Sequence, residues 1–263
     1  MLLLYTATML KYLGLALVAL ILVLLGYSLI LSQATSEPRA DETINAEFKV
    51  YHESVQGYYA APSSGRRLPG IILVHEKWGL NDSVAAAAER LASEGYRVLA
   101  VDLFEGAVAT SEENAAVITE ALDEGRALSN LRAAEAFLRE EGSSRIGVIG
   151  WDFGGGQALK FAVADEVDLD AVVLYYGSPL ITEPSALEKI PALLAFFGDA
   201  DTTIPTANID AFRGALNVAS VENEVVVYPG LGNAFADPAN PDFAETETND
   251  AWQKMLAFLE EQL

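Results

Sequence analysis

The sequence predicts an α/β domain, a mostly parallel central sheet with helices on both faces, preceded by one transmembrane helix. Three observations predict it. From residue 70 onward, short apolar runs alternate with amphipathic stretches. One of those runs ends in a glycine-rich turn, Gly150-Trp151-Asp152-Phe153-Gly154. Near the N-terminus, Tyr12 to Ser32 carries no charge over about the 20 residues that a helix needs to cross a ~30 Å hydrocarbon core.

The N-terminal segment is read first. Lys11 is the one charge before the apolar run, and Arg39 is the first basic residue after it. That asymmetry favours a cytoplasmic N-terminus and an extracytoplasmic domain, periplasmic or at the cell surface. A cleaved signal peptide is the competing reading, but its apolar region runs to about 7–15 residues and ends in a small-x-small site. The run here is longer, and Ser32-Gln33-Ala34 is the best site available. The expected division is an anchor over 1–32, a polar tether over 33–45 and one domain over 46–263.

Within the domain, Phe48–Tyr51 and Gly57–Ala61 predict an opening antiparallel hairpin. Gly65, Pro69 and Gly70 then break the chain. Strands are expected at Ile71–His75, Arg97–Val101, Ile146–Gly150, Ala171–Tyr176, Ala192–Gly198 and Glu224–Tyr228. Helices are expected near 82–94, 112–122, 127–141, 155–164, 206–218 and 247–262. Strands that are apolar throughout, separated by helices, imply a parallel sheet covered on both faces. The stretch Asp237–Asp250, broken by Pro238 and Pro241, reads as a solvated loop.

Composition narrows the chemistry. The 263 residues include 38 acidic and 16 basic side chains, a formal charge of −22. So acidic a surface repels nucleic acid, and no basic stripe offsets it. It reads as a solvated, repulsive surface, with docking to a basic partner as the sharper alternative. Cysteine is absent, which removes disulfides, thiolate metal sites and a thiol nucleophile. Only two histidines exist, His52 and His75.

The turn at 150–154 has the small-x-nucleophile-x-small pattern of a strand-turn-helix elbow, in which flanking glycines permit crowding and the central side chain is pushed to the sheet edge. Three further stretches follow in order. They are Val74-His75-Glu76-Lys77-Trp78-Gly79-Leu80-Asn81, Phe197-Gly198-Asp199-Ala200-Asp201-Thr202-Thr203-Ile204-Pro205, and Tyr228-Pro229-Gly230-Leu231-Gly232-Asn233-Ala234-Phe235. With Val101-Asp102-Leu103-Phe104 they resemble the dienelactone hydrolase family over essentially all of residues 45–263, which implies an α/β-hydrolase fold.

The resemblance also implies roles. In that family the elbow residue is usually cysteine, a strand-end aspartate supplies the acid, and the last loop reads Gly-His-x-Phe. A glutamate contacts the nucleophile. By position these fall on Asp152, Asp201, Asn233 and Glu76. Two of the four depart from the pattern, at Asp152 and Asn233. The arginine expected after the last motif is also missing, since Ala236 and Asp237 follow Phe235.

These departures change the expected chemistry. Asparagine neither takes nor returns a proton at neutral pH, so the thiol–imidazole route to acyl transfer is lost. Haloalkane dehalogenases and epoxide hydrolases place aspartate at this elbow, yet a histidine activates the water that frees their ester intermediate. His75 is the only nearby substitute, and its position before the glutamate reads as structural; His52 reads as a surface or packing residue. Glu76 and Asp152 are expected close together, so one carboxyl should resist ionisation. A hard cation held by Glu76, Asp152, Asp201 and Asn233 is a further alternative, but no metal and no cofactor are expected. Trp78, Trp151 and Phe153 are expected at the pocket mouth.

The leading expectation is a catalytically inactive accessory subunit, anchored in the lipid bilayer through residues 12–32 within a complex of membrane proteins. The alternatives are an active ester, lactone or haloalkane hydrolase using Asp152, and a binding module for a small molecule of unknown identity.

Overall fold

The computed structural model describes residues 42–64 and 67–263. The expected membrane segment and residues 33–41 of the tether lie outside the described residues. Among the described residues no helix is long and apolar enough to cross a membrane.

The chain opens with β1 (Ile44–His52) and β2 (Val55–Pro62), an antiparallel hairpin that turns at Glu53, where φ is +49°. β1 starts within the stretch expected as tether, because Ile44 pairs with Pro62. Then come β3 (Gly70–Val74), α1 (Asp82–Ser93), β4 (Arg97–Val101), α2 (Glu112–Glu120), α3 (Glu124–Glu140), β5 (Ile146–Trp151) and α4 (Phe153–Ala162). The chain finishes with β6 (Ala171–Tyr175), α5 (Pro184–Leu187), β7 (Ala192–Gly198), α6 (Thr206–Val218), β8 (Asn223–Tyr228) and α7 (Glu245–Gln262).

Side-chain caps fix several boundaries. The Asn81 carboxamide oxygen accepts from the Ser83 and Val84 N–H groups at 3.0 and 3.2 Å and starts α1. Asp123 accepts from the Arg126 N–H at 3.0 Å, so α3 begins three residues before its apolar periodicity does. The short α5, with Pro184 in its first turn, has no counterpart in the sequence expectation.

The eight strands lie in the order β1-β2-β4-β3-β5-β6-β7-β8, parallel from β4 to β8 and antiparallel for β1 and β2. The central strands are buried on both faces: Ile71–Val74, Val98–Val101, Val148–Ile149, Ala171–Leu174 and Leu193–Phe197 carry almost no exposed surface. Each large aliphatic side chain among them contributes about 1.5–3 kcal/mol by leaving water. That is why continuous apolar runs, not alternation, marked these strands.

From β3 the chain steps one way to β4, then crosses back over β3 to β5 and continues the other way. Right-handed crossovers therefore put α1 on one face and α3, α4 and α6 on the other. α7 joins the α1 face, where the Arg90 guanidinium sits 3.7 Å from the Trp252 ring centroid. The reversal between β3 and β5 is a topological switch point, and open α/β sheets bind ligands beyond the carboxyl ends of the strands at such a point.

The elbow is at that place. A Cβ on Gly150 would lie 2.2 Å from the Gly154 carbonyl oxygen, and one on Gly154 would lie 2.4 Å from the His75 carbonyl oxygen. No backbone atom there can yield. Gly150→Ala is expected to cost on the order of 3 kcal/mol in denaturant unfolding. Gly214→Ala, in α6 with open space around it, should instead gain about 0.5–1 kcal/mol. Equal effects at the two positions would contradict this account of the elbow.

Candidate active site

Sheet register brings the site together. Val74 pairs with Gly150, so Glu76 and Asp152 each lie two residues past a paired position on neighbouring strands. Trp151 pairs with Tyr175, which puts Tyr176 beside the elbow on the next strand. Asp152 has φ +47° and ψ −118°, and Tyr176 has φ +39°. Two adjacent non-glycine residues are thus held in strained backbone at one sheet edge. The strain is held by backbone hydrogen bonds: Asp152 N–H to the Tyr175 carbonyl at 3.0 Å, Gly156 N–H and Ser178 N–H to the Asp152 carbonyl at 3.2 and 3.1 Å, and Tyr176 N–H to the Phe196 carbonyl at 2.7 Å.

Asp201 and Asn233 meet as the register implies. Asp201 is 5% exposed, and its carboxylate accepts from the Thr203 and Ile204 N–H groups at 2.6 and 3.0 Å and from Asn233 Nδ2 at 2.9 Å. Asn240 Nδ2 donates to the Asn233 and Ala234 carbonyls, both at 3.0 Å, and so pins the loop that carries Asn233. The Asn233 amide is therefore a donor tied to Asp201. It has no proton to exchange at neutral pH.

His75 offers no replacement base. It is 1% exposed; its Nδ1 lies 2.6 Å from the Glu76 carbonyl oxygen, and its Nε2 is 3.1 Å from the Leu103 N–H. A carbonyl can only accept and an amide N–H can only donate, which assigns the proton to Nδ1 and a neutral ring. Burial first of all lowers its proton affinity further. Phe104, at 4.6 Å between ring centroids, and Phe153, at 6.2 Å, enclose it. His52, the last residue of β1, belongs to the hairpin, as the sequence suggested.

Glu76 and Asp152 form the electrostatic centre. Burial, then the Asp152 charge, then that of Asp237, push the Glu76 carboxyl up to about 8, against the Tyr176 hydroxyl and Lys77. Burial also raises Asp152; the Phe153 N–H and Lys77 oppose this, while Asp201 and Glu112 add to it. Lys77 offsets the pair only in part, because its ammonium is also committed at 2.7 Å to Glu112 and lies 5.2 Å from the Trp78 ring. Among the described residues no cluster of acids and histidines has the arrangement of a metal site.

The cleft above these groups has a volume of about 1280 Å³. Trp78 and Trp151 line it, but Phe153 does not; it turns inward toward His75 and Phe104. The sequence did not anticipate Asp237, Asn240 and Phe243 in the wall. They belong to the stretch expected as a solvated loop, and the Asn240 hydrogen bonds explain the difference. An Asn seven residues after the base position was the only available signal.

The raised Glu76 makes stability depend on pH. The folded chain keeps a proton that the unfolded chain releases above about pH 4.5, so folding takes up a proton between about 4.5 and 8. The penalty is absent below that window, grows as pH rises through it and is complete above it. Glu76→Gln should therefore gain melting temperature over the parent steadily from pH 5 to 8 and level off beyond. A constant difference from pH 5 to 9 would refute this assignment.

Comparison with known proteins agrees with the geometry. The model of the "Dienelactone hydrolase family" matches residues 55–263. A "Putative carboxymethylenebutenolidase" from Methylorubrum extorquens is 30% identical over 85% of this chain and 83% of its own. The "Protein usf" of Aquifex pyrophilus is 29% identical over 82% of this chain and 97% of its own. The crystal structure of a "Putative Dienelactone Hydrolase" from Klebsiella pneumoniae superposes with a TM-score of 0.76 at 24% identity, over 84% of this chain and 100% of that one, and it shares the α/β-hydrolase fold. With this sheet order, this elbow and these matches, the chain belongs to the dienelactone hydrolase family.

Proposed function

We propose that the protein is a hydrolase of small esters or lactones that works through a carboxyl pair, Asp152 and Glu76. The observation that carries this reading is the placement of two neighbouring carboxyl groups at the switch point, one of them pushed up to about 8. Near neutral pH the pair holds one proton, on Glu76, and one negative charge, on Asp152. Names of relatives such as "Putative carboxymethylenebutenolidase" support the reaction class.

The step balances without a covalent intermediate. Asp152 takes a proton from water as the water oxygen bonds to the substrate carbonyl carbon. Glu76 gives its proton to the alkoxide oxygen as the carbon–oxygen bond breaks. An acid and an alcohol result, joined as a hydroxy acid when the substrate is a lactone. Asp152 is left protonated and Glu76 ionised, and proton exchange between them through water restores the start. A route through covalent attack by Asp152, as haloalkane chemistry requires, needs a base for the second step that neither Asn233 nor His75 supplies.

The full chain, assayed on aryl esters, lactones and haloalkanes, should turn over the first two classes. kcat/KM should be bell-shaped in pH, with its alkaline limb near 8. Asp152→Ala and Glu76→Gln should each lower it by about 10²–10⁴-fold. Absence of turnover in every class, or full activity in Asp152→Ala, would sink the proposal.

A second reading, the inactive accessory subunit tethered through residues 12–32, is favoured by one feature. Asn233 stands at the base position and is committed to Asp201. Under that reading the scaffold outlives its chemistry. The pair Asp152→Cys and Asn233→His should then create aryl-ester hydrolysis at least about 10²-fold above either single variant. The parent should be inert and should leave gently solubilised membranes with partner subunits. A parent that turns over, or that always runs alone, would count against it.

A further inference from the structure

Tyr176 is fully buried, and its hydroxyl lies 3.4 Å from Glu76 Oε1. Its ring is clamped edge-on by Tyr175, at 6.3 Å between centroids, and by Phe235, at 5.4 Å. Its backbone is strained at φ +39° and anchored to the Phe196 carbonyl at 2.7 Å. Nothing in that packing needs the hydroxyl, since a phenylalanine ring would fill the same space. Strain and rigid clamping serve instead to present one oxygen atom to one carboxyl group.

We propose that Tyr176 is a positioning residue that fixes which oxygen of Glu76 carries the proton. The proposal rests on the carboxyl-pair reading above. A carboxylic acid has one oxygen that donates and one that accepts. A hydroxyl that donates to Oε1 makes Oε1 the acceptor, so the proton resides on Oε2. It is then available to the cleft and to Asp152 rather than rotating between the two oxygens. The bond is long for a hydroxyl–carboxyl pair, as catalytic hydrogen bonds often are before substrate arrives, and it can shorten as charge develops on Glu76 when the proton leaves. Tyr176 does not compete for that proton, because burial and then the charges of Glu76, Asp237 and Asp152 keep its hydroxyl protonated far above its ordinary range. The charged groups acting on Glu76 are Asp152, Asp237 and Lys77, and none of them changes when the hydroxyl is removed.

The test is Tyr176→Phe in the full chain, with a melting curve at pH 5 to verify that the fold is intact. The titration midpoint of Glu76 is read without substrate. It comes from the pH dependence of the melting-temperature change that Glu76→Gln produces, measured once in the parent and once in the Tyr176→Phe background. Loss of the hydroxyl removes a donor that favours the ionised form, so the midpoint should move upward by about half a unit or more. Where turnover is measurable, kcat should fall about tenfold with KM little changed and the alkaline limb should follow the midpoint. A midpoint that stays in place or moves down overturns the proposal and leaves Tyr176 as packing. Because this readout needs no turnover, it separates failure of the Tyr176 assignment from failure of the hydrolase reading.

Discussion

The close passage of the Gly154 backbone beneath Val74 and His75 is the constraint on which the rest of the structure depends. Two glycines let β3, β5 and the start of α4 come closer than any side chain permits. The turn that results lifts residue 152 above the sheet edge with its φ in the left-handed region. The same contact fixes the end of β3, and hence the position of Glu76 relative to Asp152. Carboxyl coupling is thus a consequence of strand packing. A residue held in such backbone costs about 1–3 kcal/mol, and the surrounding hydrogen bonds to Tyr175, Gly156 and Ser178 keep it there.

Local burial, not the overall acidity of the chain, sets the proton balance of the site. A formal charge of −22 is spread over a surface where interactions beyond about 8 Å are screened at physiological salt. Inside the cleft, desolvation is the first cause of the raised proton affinity of both Glu76 and Asp152. Lys77 is the cation acting on both groups, and its commitment to Glu112 limits what it can offset. The pair is accordingly short of positive charge in a place that water solvates poorly, and one shared proton is the simplest remedy.

Much of this was legible in the sequence because it depends on local pattern. Ile71–Val74 and Ala192–Phe197 are apolar at every position, which only a doubly covered strand requires, and Gly150 and Gly154 flank the elbow at fixed spacing. What was hidden depends on partners distant in the chain. The role of His75 follows from Leu103, 28 residues away, whose N–H occupies the second ring nitrogen. The wall built from residues 237–243 looked like solvated loop by composition, yet one amide, Asn240, ties it over the site. The start of α3 shifted because Asp123 caps it, a signal outvoted by the apolar periodicity that begins later.

The strain at residue 152 bears on whether the cleft still works. At φ +47° and ψ −118° glycine alone is free of strain, and asparagine would match the shape of aspartate without its charge. Either would also remove a half-buried carboxyl that desolvation pushes toward protonation. A position kept only for the fold would be better served by one of them. Aspartate instead adds a partly desolvated charge, and relative to glycine a strained backbone, beside a second desolvated carboxyl that could equally have been an amide. Two unfavourable groups placed side by side, at the edge where open α/β sheets bind ligands, fit the proposed proton transfer to a substrate. Asn233 argues only against an imidazole route, because the same amide that cannot relay a proton still holds Asp201 and its loop in place.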